Sequence, residues 1–263
     1  VNIIILTLPA QQVVPFCEQN KEKIDSKTLI CNTAKGLYLH DKCLLSEGIM
    51  SVLGREQQYC VLSGPSFAHE ILQQTPTAVV VASRYRYHAV TIQRILSTPT
   101  FMVYISQDVI GVELGGALKN PLAIGAGVLQ GIGLGVNSLA AYVTRSSLEL
   151  QLLCHAMGGE PQTISGLSGV GDLMLTAFGD RSRNRELGKC LAAGESLSAL
   201  TLSRTVEGVP TASVAIHLAD RCGLELPVFR AVAAFLEGHI SVQTLAKNLL
   251  SQPGIPEMEI RFK

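Results

Sequence analysis

Five short stretches of this 263-residue chain put polar side chains where folding alone does not ask for them. ELGGALKNPLAI sets Lys119 and Asn120 inside an apolar run with helical spacing. A lysine so placed either snorkels along the surface or is held for chemistry. Burial would lower its pKa and suit it to proton transfer or to polarising a carbonyl. GLSGVGDLMLT sets Asp172 among glycines and apolar residues, which makes it a candidate partner for a buried lysine. In CNTAKGL a strand-like run ends on Lys35, next to Gly36, where an exposed loop lysine is the plain alternative. SGPSFAHE carries Gly64-Pro65 as turn punctuation and Ser66 in position to cap a helix, whose N–H groups could meet a phosphate or carboxamide. DRSRNRELG gathers Arg181, Arg183 and Arg185 around Ser182 and Asn184 at an expected helix start. That is either a phosphate grip or a solvated basic face.

These side chains need a scaffold, and the texture of the chain describes one. Apolar runs of strand length, mostly rich in Val, Ile and Thr, fall at residues 2–8, 28–33, 59–63, 77–82 and 101–105. Helix-spaced stretches such as 44–53 and 87–96 lie between them. That alternation predicts βαβ units and a mainly parallel sheet. From about residue 108 strand-like runs disappear and long helical patterns dominate. The expected architecture is therefore α/β plus all-α. Residues 1–108 form part of a Rossmann-like sheet domain, and 109–263 form an all-helical domain. The first run, VNIIILTLPAQQ, reads as a later strand opening into a loop at its carboxyl end, where open α/β sheets bind ligands.

Bulk composition narrows the function classes. Lys plus Arg and Asp plus Glu stand at 21 each, so net charge gives no footprint for nucleic acid or an anionic membrane. Seven scattered cysteines, none spaced C-x-x-C, argue against a disulfide framework or a zinc site and suit a reducing compartment. Residues 121–143 carry no charge over about the length that spans a bilayer, but glycines and Gln130, Asn137 and Ser138 dilute them. A buried helix pair is the expectation there.

GAGVLQGIGLG, from Gly125 onward, has the glycine density of a dinucleotide-binding turn. Its spacing is one residue too long, a helical segment precedes it, and no strand ending in a carboxylate follows. Close helix packing is the expected use of these glycines.

TAKGL, SGPSFAHE, ELGGALKN, GLSGVGDLMLT, SRNRELG and TVEGV follow one another in an order and spacing similar to bacterial-type NAD(P)-dependent glycerol-3-phosphate dehydrogenases. The resemblance covers nearly the whole chain. It implies reduction of dihydroxyacetone phosphate by NADH or NADPH, with the reverse oxidation of sn-glycerol 3-phosphate, and no metal. By matched position Lys119 would donate and accept the proton, Asp172 would orient it, and Lys35 would hold substrate beside the nicotinamide. Gly64, Ser66, Asn120 and Thr176 would line the substrate pocket, and Ser182, Arg183 and Asn184 would hold its phosphate. Pro9, Ala68, Thr205 and Glu207 would lie on the cofactor side, with Arg183 and Lys35 also near it. A cytoplasmic homodimer feeding phospholipid synthesis is the implied setting, without nucleic acid or a membrane span; an organellar location stays open.

Three departures stand against the family pattern. No glycine fingerprint follows a strand, so it is expected upstream of Val1, and these residues alone are expected to bind NAD(P)H poorly and to be inactive. Val136 stands where the family often has a polar residue, and the ending IRFK is not a peroxisomal tripeptide. Rival readings are a 6-phosphogluconate- or hydroxyacyl-CoA-type dehydrogenase, or a non-catalytic fragment acting through oligomer contacts.

Overall fold

The computed structural model of the chain describes residues 2–202 and 206–250. Strand β1 (Ile3–Leu6) runs into helix α1 (Ala10–Asn20), and β2 (Leu29–Asn32) follows. A short hairpin, β3 (Leu37–Tyr38) and β4 (Cys43–Leu44), leads into α2 (Leu45–Leu53). Next come β5 (Tyr59–Ser63), α3 (Ala68–Leu72), β6 (Thr77–Ala82), α4 (Arg86–Leu96) and β7 (Phe101–Ser106). The five longer strands form one sheet in the order β1-β2-β5-β6-β7. Its pairs are parallel except for β5 with β6, which run antiparallel.

Alternation of side chains along the strands explains how the sheet is covered on both faces. Ile30 and Val61 point to one side, where they share a core with Val13, Val14 and Cys17 of α1 and Ile49 of α2. Leu29, Cys31 and Cys60 point to the other, against Ala89 and Ile92 of α4. Helix α1 and the hairpin go beyond the sequence reading. Two valines and Pro15 mask the helical pattern of the first, and two-residue strands carry no period in the second.

The helical part is built on α5 (Val109–Gly131), which is buried from Gly111 through Leu129. Asp108 starts it by accepting a hydrogen bond from the Gly111 N–H at 2.8 Å. Around it lie α6 (Val136–Ala156), α7 (Pro161–Ile164), a single π-helical turn (Leu167–Gly171), α8 (Asp172–Phe178) and α9 (Arg183–Ala192). The last four are α10 (Leu197–Leu202), α11 (Gly208–Arg221), α12 (Pro227–Leu236) and α13 (Val242–Leu250). This is the expected sheet part followed by a helical part.

The glycine-rich stretch is the close packing of helices. A Cβ on Gly127 would lie 2.0 Å from the Arg185 carbonyl oxygen, and one on Gly188 would meet the Ile124 carbonyl oxygen at 2.1 Å. Only glycine lets α5 and α9 cross at this distance. Val136, the departure noted above, is exposed at the start of α6. Among the described residues, no helix is long and apolar enough to cross a membrane.

Candidate active site

Because β1, β2 and β5 are parallel, their carboxyl ends open on one edge, and α5 and α8 of the helical part face it. β2 delivers Lys35 and β5 delivers Gly64 and Ser66. Helix α5 approaches this edge closely at its glycine pair. A Cβ on Gly116 would sit 2.5 Å from Ser63 Oγ, and one on Gly115 would sit 2.6 Å from the Ser168 carbonyl oxygen. The GG of ELGGALKN is therefore a wedge that lets α5 lie between the sheet and the π-helical turn. One helical turn further on it presents Lys119. The π-helical turn ends directly at Asp172, the first residue of α8.

Asp172 is fully buried and shared by two ammonium groups. Lys119 Nζ donates to its Oδ1 at 2.6 Å and Lys35 Nζ to its Oδ2 at 2.7 Å. Lys35 also donates to the Gly64 carbonyl at 2.7 Å, with Ser66 Oγ at 3.4 Å, so its donors are largely used. Lys119 donates once more, to Thr176 Oγ1 at 2.9 Å, and Thr176 in turn donates to the Asp172 carbonyl. An ammonium has three N–H bonds, so among the described residues one on Lys119 is left over. The cluster carries a formal excess of one positive charge. Burial first, and the neighbouring Lys35 charge second, lower the Lys119 pKa to about 8, against the opposing pull of Asp172.

A chain of amides ties the site to its surroundings. Asn120 donates to the Lys35 carbonyl and accepts from the Asn184 side chain, each at 3.0 Å. Asn184 accepts from the Gly208 N–H at 2.9 Å. Both amides are thus mostly committed within the protein. Ser182 caps α9 by accepting from the Arg185 N–H, while Arg183 is exposed at the first position of that helix. Arg185 leaves the expected arginine group. It is buried, donating to Gln130 and to the Gly179 carbonyl, because α9 turns that face towards α5. Ser66 does not cap a helix either. Phe67 occupies the N-cap of α3, and Ser66 Oγ donates back to the Gly64 carbonyl.

On the cofactor side, Glu207 accepts from the Ala10 N–H at 3.1 Å, at the start of α1 and directly after Pro9. Burial raises its pKa, while that hydrogen bond and the Arg183 charge hold it down. Gly36 lies against the same spot. Ala68 is exposed at the start of α3. Thr205 lies outside the described residues.

Glu113 is a residue that the sequence reading missed. It sits two turns before Lys119 and is buried, with Ser46 N–H at 3.1 Å, Tyr59 OH at 2.6 Å and the Ser46 hydroxyl all donating to it. Burial pushes its pKa to about 7, against the lowering effect of these donors. It joins α5 to the start of α2 and of β5, and so fixes where Lys119 arrives. Glu113→Ala strands the buried Tyr59 hydroxyl and two part-buried donors of Ser46 and is expected to cost about 3 kcal/mol of unfolding free energy in urea titration. A loss within about 0.5 kcal/mol, the range of ordinary surface changes, would contradict that anchoring role. Among the described residues, no cluster of His, Cys, Asp and Glu could hold a metal ion.

Residues 1–89 match the family model of the NAD-dependent glycerol-3-phosphate dehydrogenase N-terminus, and residues 108–247 match that of its C-terminus. The chain belongs to the NAD-dependent glycerol-3-phosphate dehydrogenase family. Similar proteins include a glycerol-3-phosphate dehydrogenase [NAD(P)+] of Lawsonia intracellularis, 41% identical over 95% of this chain and 71% of that protein. A chloroplastic glycerol-3-phosphate dehydrogenase [NAD(+)] of Oryza sativa is 39% identical over 95% of this chain and 58% of that protein. The crystal structure of a glycerol-3-phosphate dehydrogenase from Coxiella burnetii superposes with a TM-score of 0.91 at 34% identity, covering 96% of this chain and 78% of that one.

Proposed function

We propose that the protein reduces dihydroxyacetone phosphate to sn-glycerol 3-phosphate with NADH or NADPH, and runs the reverse oxidation, with Lys119 as proton donor and acceptor. Family membership supports the reaction class. The observation that carries the role of Lys119 is its one remaining N–H, on a buried ammonium held at two other points. When bound, NAD(P)H supplies a hydride to the ketone carbon. The oxygen then gains negative charge, which the buried ammonium stabilises and to which it yields its proton. Asp172 and Thr176 orient that ammonium, and Lys35 adds a second positive charge beside the substrate.

The phosphate would be met by Arg183, the Ser182 hydroxyl and the spare amide N–H of Asn184 at the start of α9. Gly64, Ser66 and Asn120 would shape the walls of the pocket. Glu207, against Ala10 just after Pro9 and with the Arg183 charge nearby, offers an acceptor of the kind a carboxamide N–H requires, so this end fits a nicotinamide; Lys35, Ala68 and Thr205 are assigned to it by resemblance alone. The change of texture near residue 108 supports a domain division at 108/109, with the cores of the two parts meeting where Leu37 and Leu44 join the helical core and Val112 joins the sheet core. Resemblance supports a bacterial-type, cytoplasmic enzyme feeding phospholipid synthesis, and a homodimer is the commonest assembly for such chains.

The full-length protein is expected to oxidise NADH or NADPH only when dihydroxyacetone phosphate is added. No turnover with that ketone, or turnover with 6-phosphogluconate instead, would overturn the reading. Ketone reduction needs Lys119 protonated, and its pKa lies near 8. Reductive kcat/KM should therefore be level below that pH and fall above it, while the oxidative value should rise through the same region. Limbs with the same slope in both directions would remove Lys119 from proton transfer.

Among the described residues no G-x-G-x-x-G turn joins a strand to a helix: β1 meets α1 at Pro9, and the β5–α3 turn carries the single glycine Gly64. Residues 1–263 alone are therefore expected to hold NAD(P)H weakly and to be inactive. A fluorescence titration of that polypeptide giving tight, saturable NADH binding would refute this.

A further inference from the structure

At the far end of the sheet from Gly64 the chain reads SRYRYH. Strand β6 is antiparallel to β5, with Ala82 opposite Val61 and Val80 opposite Ser63, so the turn after Ala82 points away from the active-site edge. Here Arg84, Tyr85, Arg86, Tyr87, Arg94 and Gln107 line an open groove of about 650 Å³. The three arginines are exposed, and among the described residues none of them is ion-paired. Tyr85 and Tyr87 are 56% and 60% exposed, so more than half of each residue is open to solvent beside the arginines.

The two rings are held in place. His88 is buried beneath them, with its ring centroid 3.9 Å from that of Tyr87 and 5.7 Å from that of Tyr85. Gln107 donates to the Arg84 carbonyl and fixes the turn. The tyrosine centroids are 6.0 Å apart and tilted by 35°, too close for a base to slide between them. Each ring therefore offers its outer face. Fixed aromatic faces interleaved with uncompensated guanidinium groups match one class of partner: flexible polyanions whose repeating units carry flat rings.

We propose that this groove binds single-stranded nucleic acid, with bases stacked on Tyr85 and Tyr87 and phosphates paired with Arg84, Arg86 and Arg94. The balanced charge of the whole chain points away from such a partner, but it is a sum over all residues and hides a local cluster. The proposal is independent of the dehydrogenase reading.

The test is fluorescence anisotropy of a labelled oligouridylate of about 12 nucleotides with the full-length protein, in about 50 to 200 mM salt. Three phosphate contacts predict that log K falls against log salt with a slope of about −2. Arg84→Ala/Arg86→Ala/Arg94→Ala should abolish measurable binding, and Tyr85→Ala/Tyr87→Ala should weaken it about tenfold or more. Both variants should keep the parent's thermal unfolding curve, since the replaced side chains are exposed. Saturating NADH should leave the oligonucleotide bound. No binding, or binding unchanged in the arginine variant, overturns the proposal. Displacement by NADH overturns it too, by assigning the oligonucleotide to the cofactor cleft. Equal binding of base-free polyphosphate, with no loss in the tyrosine variant, replaces it with a general anion surface, and capture of an acidic peptide in place of the oligonucleotide assigns the groove to a protein partner.

Discussion

Lys119→Ala in the full-length protein is expected to remove turnover, by at least the 10²–10⁴-fold typical of positioned acid–base groups, while the protein stays folded. The loss in rate follows from the three donors of the ammonium. Asp172 and Thr176 take two of them, and the third has no acceptor among the described residues. Lys35 cannot replace it, because it already donates to Asp172 and to the Gly64 carbonyl. The fold survives for a separate reason. With Lys119 gone, the buried Asp172 carboxylate keeps Lys35 as its counter-charge at 2.7 Å, so no unpaired charge is left inside. Lys119→Arg should fail to restore activity, since a guanidinium keeps its proton at any pH of interest. The measurement is kcat with saturating dihydroxyacetone phosphate and NADH, beside a circular-dichroism melt. Turnover near the parental value in the alanine variant would take the chemistry away from Lys119.

Which parts of this site the sequence could reveal depended on how far apart the cooperating residues lie and on how odd each looks locally. A lysine within ELGGALKNPLAI and an aspartate within GVGDLML are polar residues in apolar surroundings. Burying either alone costs so much that a partner is implied, and each is the other's partner in the structure. Glu113 gives no such signal. It stands at the start of the same apolar run, where a carboxylate reads as an ordinary exposed helix residue. Its donors, Ser46 and Tyr59, come from more than fifty residues away. The pairing Gly115-Gly116 was visible as a motif, yet its use became physical only once Ser63 and Ser168 lay on either side of α5. Ser66 shows the converse. Its local spacing favours a cap, but a carbonyl two residues back and the Lys35 ammonium compete for its hydroxyl and win. Arg185 likewise looked like one of three equivalent arginines, and the face that α9 turns to α5 separates it from the other two.

Asp172→Asn is expected to give a large and diagnostic effect, because it changes charge without changing volume. In the parent the Lys119 pKa sits near 8 through burial and the Lys35 charge, and Asp172 is what keeps it from falling further. Asparagine removes that support while both lysines stay. Lys119 then loses its proton at neutral pH, and reductive turnover should drop by two orders of magnitude or so, the lower end of the acid–base range. The alkaline limb of reductive kcat/KM should move towards acid, and activity should partly return as pH is lowered. Stability follows the same sign. A lysine with a depressed folded pKa contributes stability above its unfolded pKa, and that stability is lost as pH falls through the folded value. The variant should therefore unfold more easily in acid than the parent, losing up to about 3–5 kcal/mol where both lysines are charged. Replacing Lys35 with Met in the same chain removes the repulsion, and should move the limb back towards alkaline pH and recover acid stability. If instead Asp172→Asn leaves the limb unmoved, or the added Lys35→Met change moves neither limb nor stability, the carboxylate serves geometry alone and the electrostatic account of Lys119 fails.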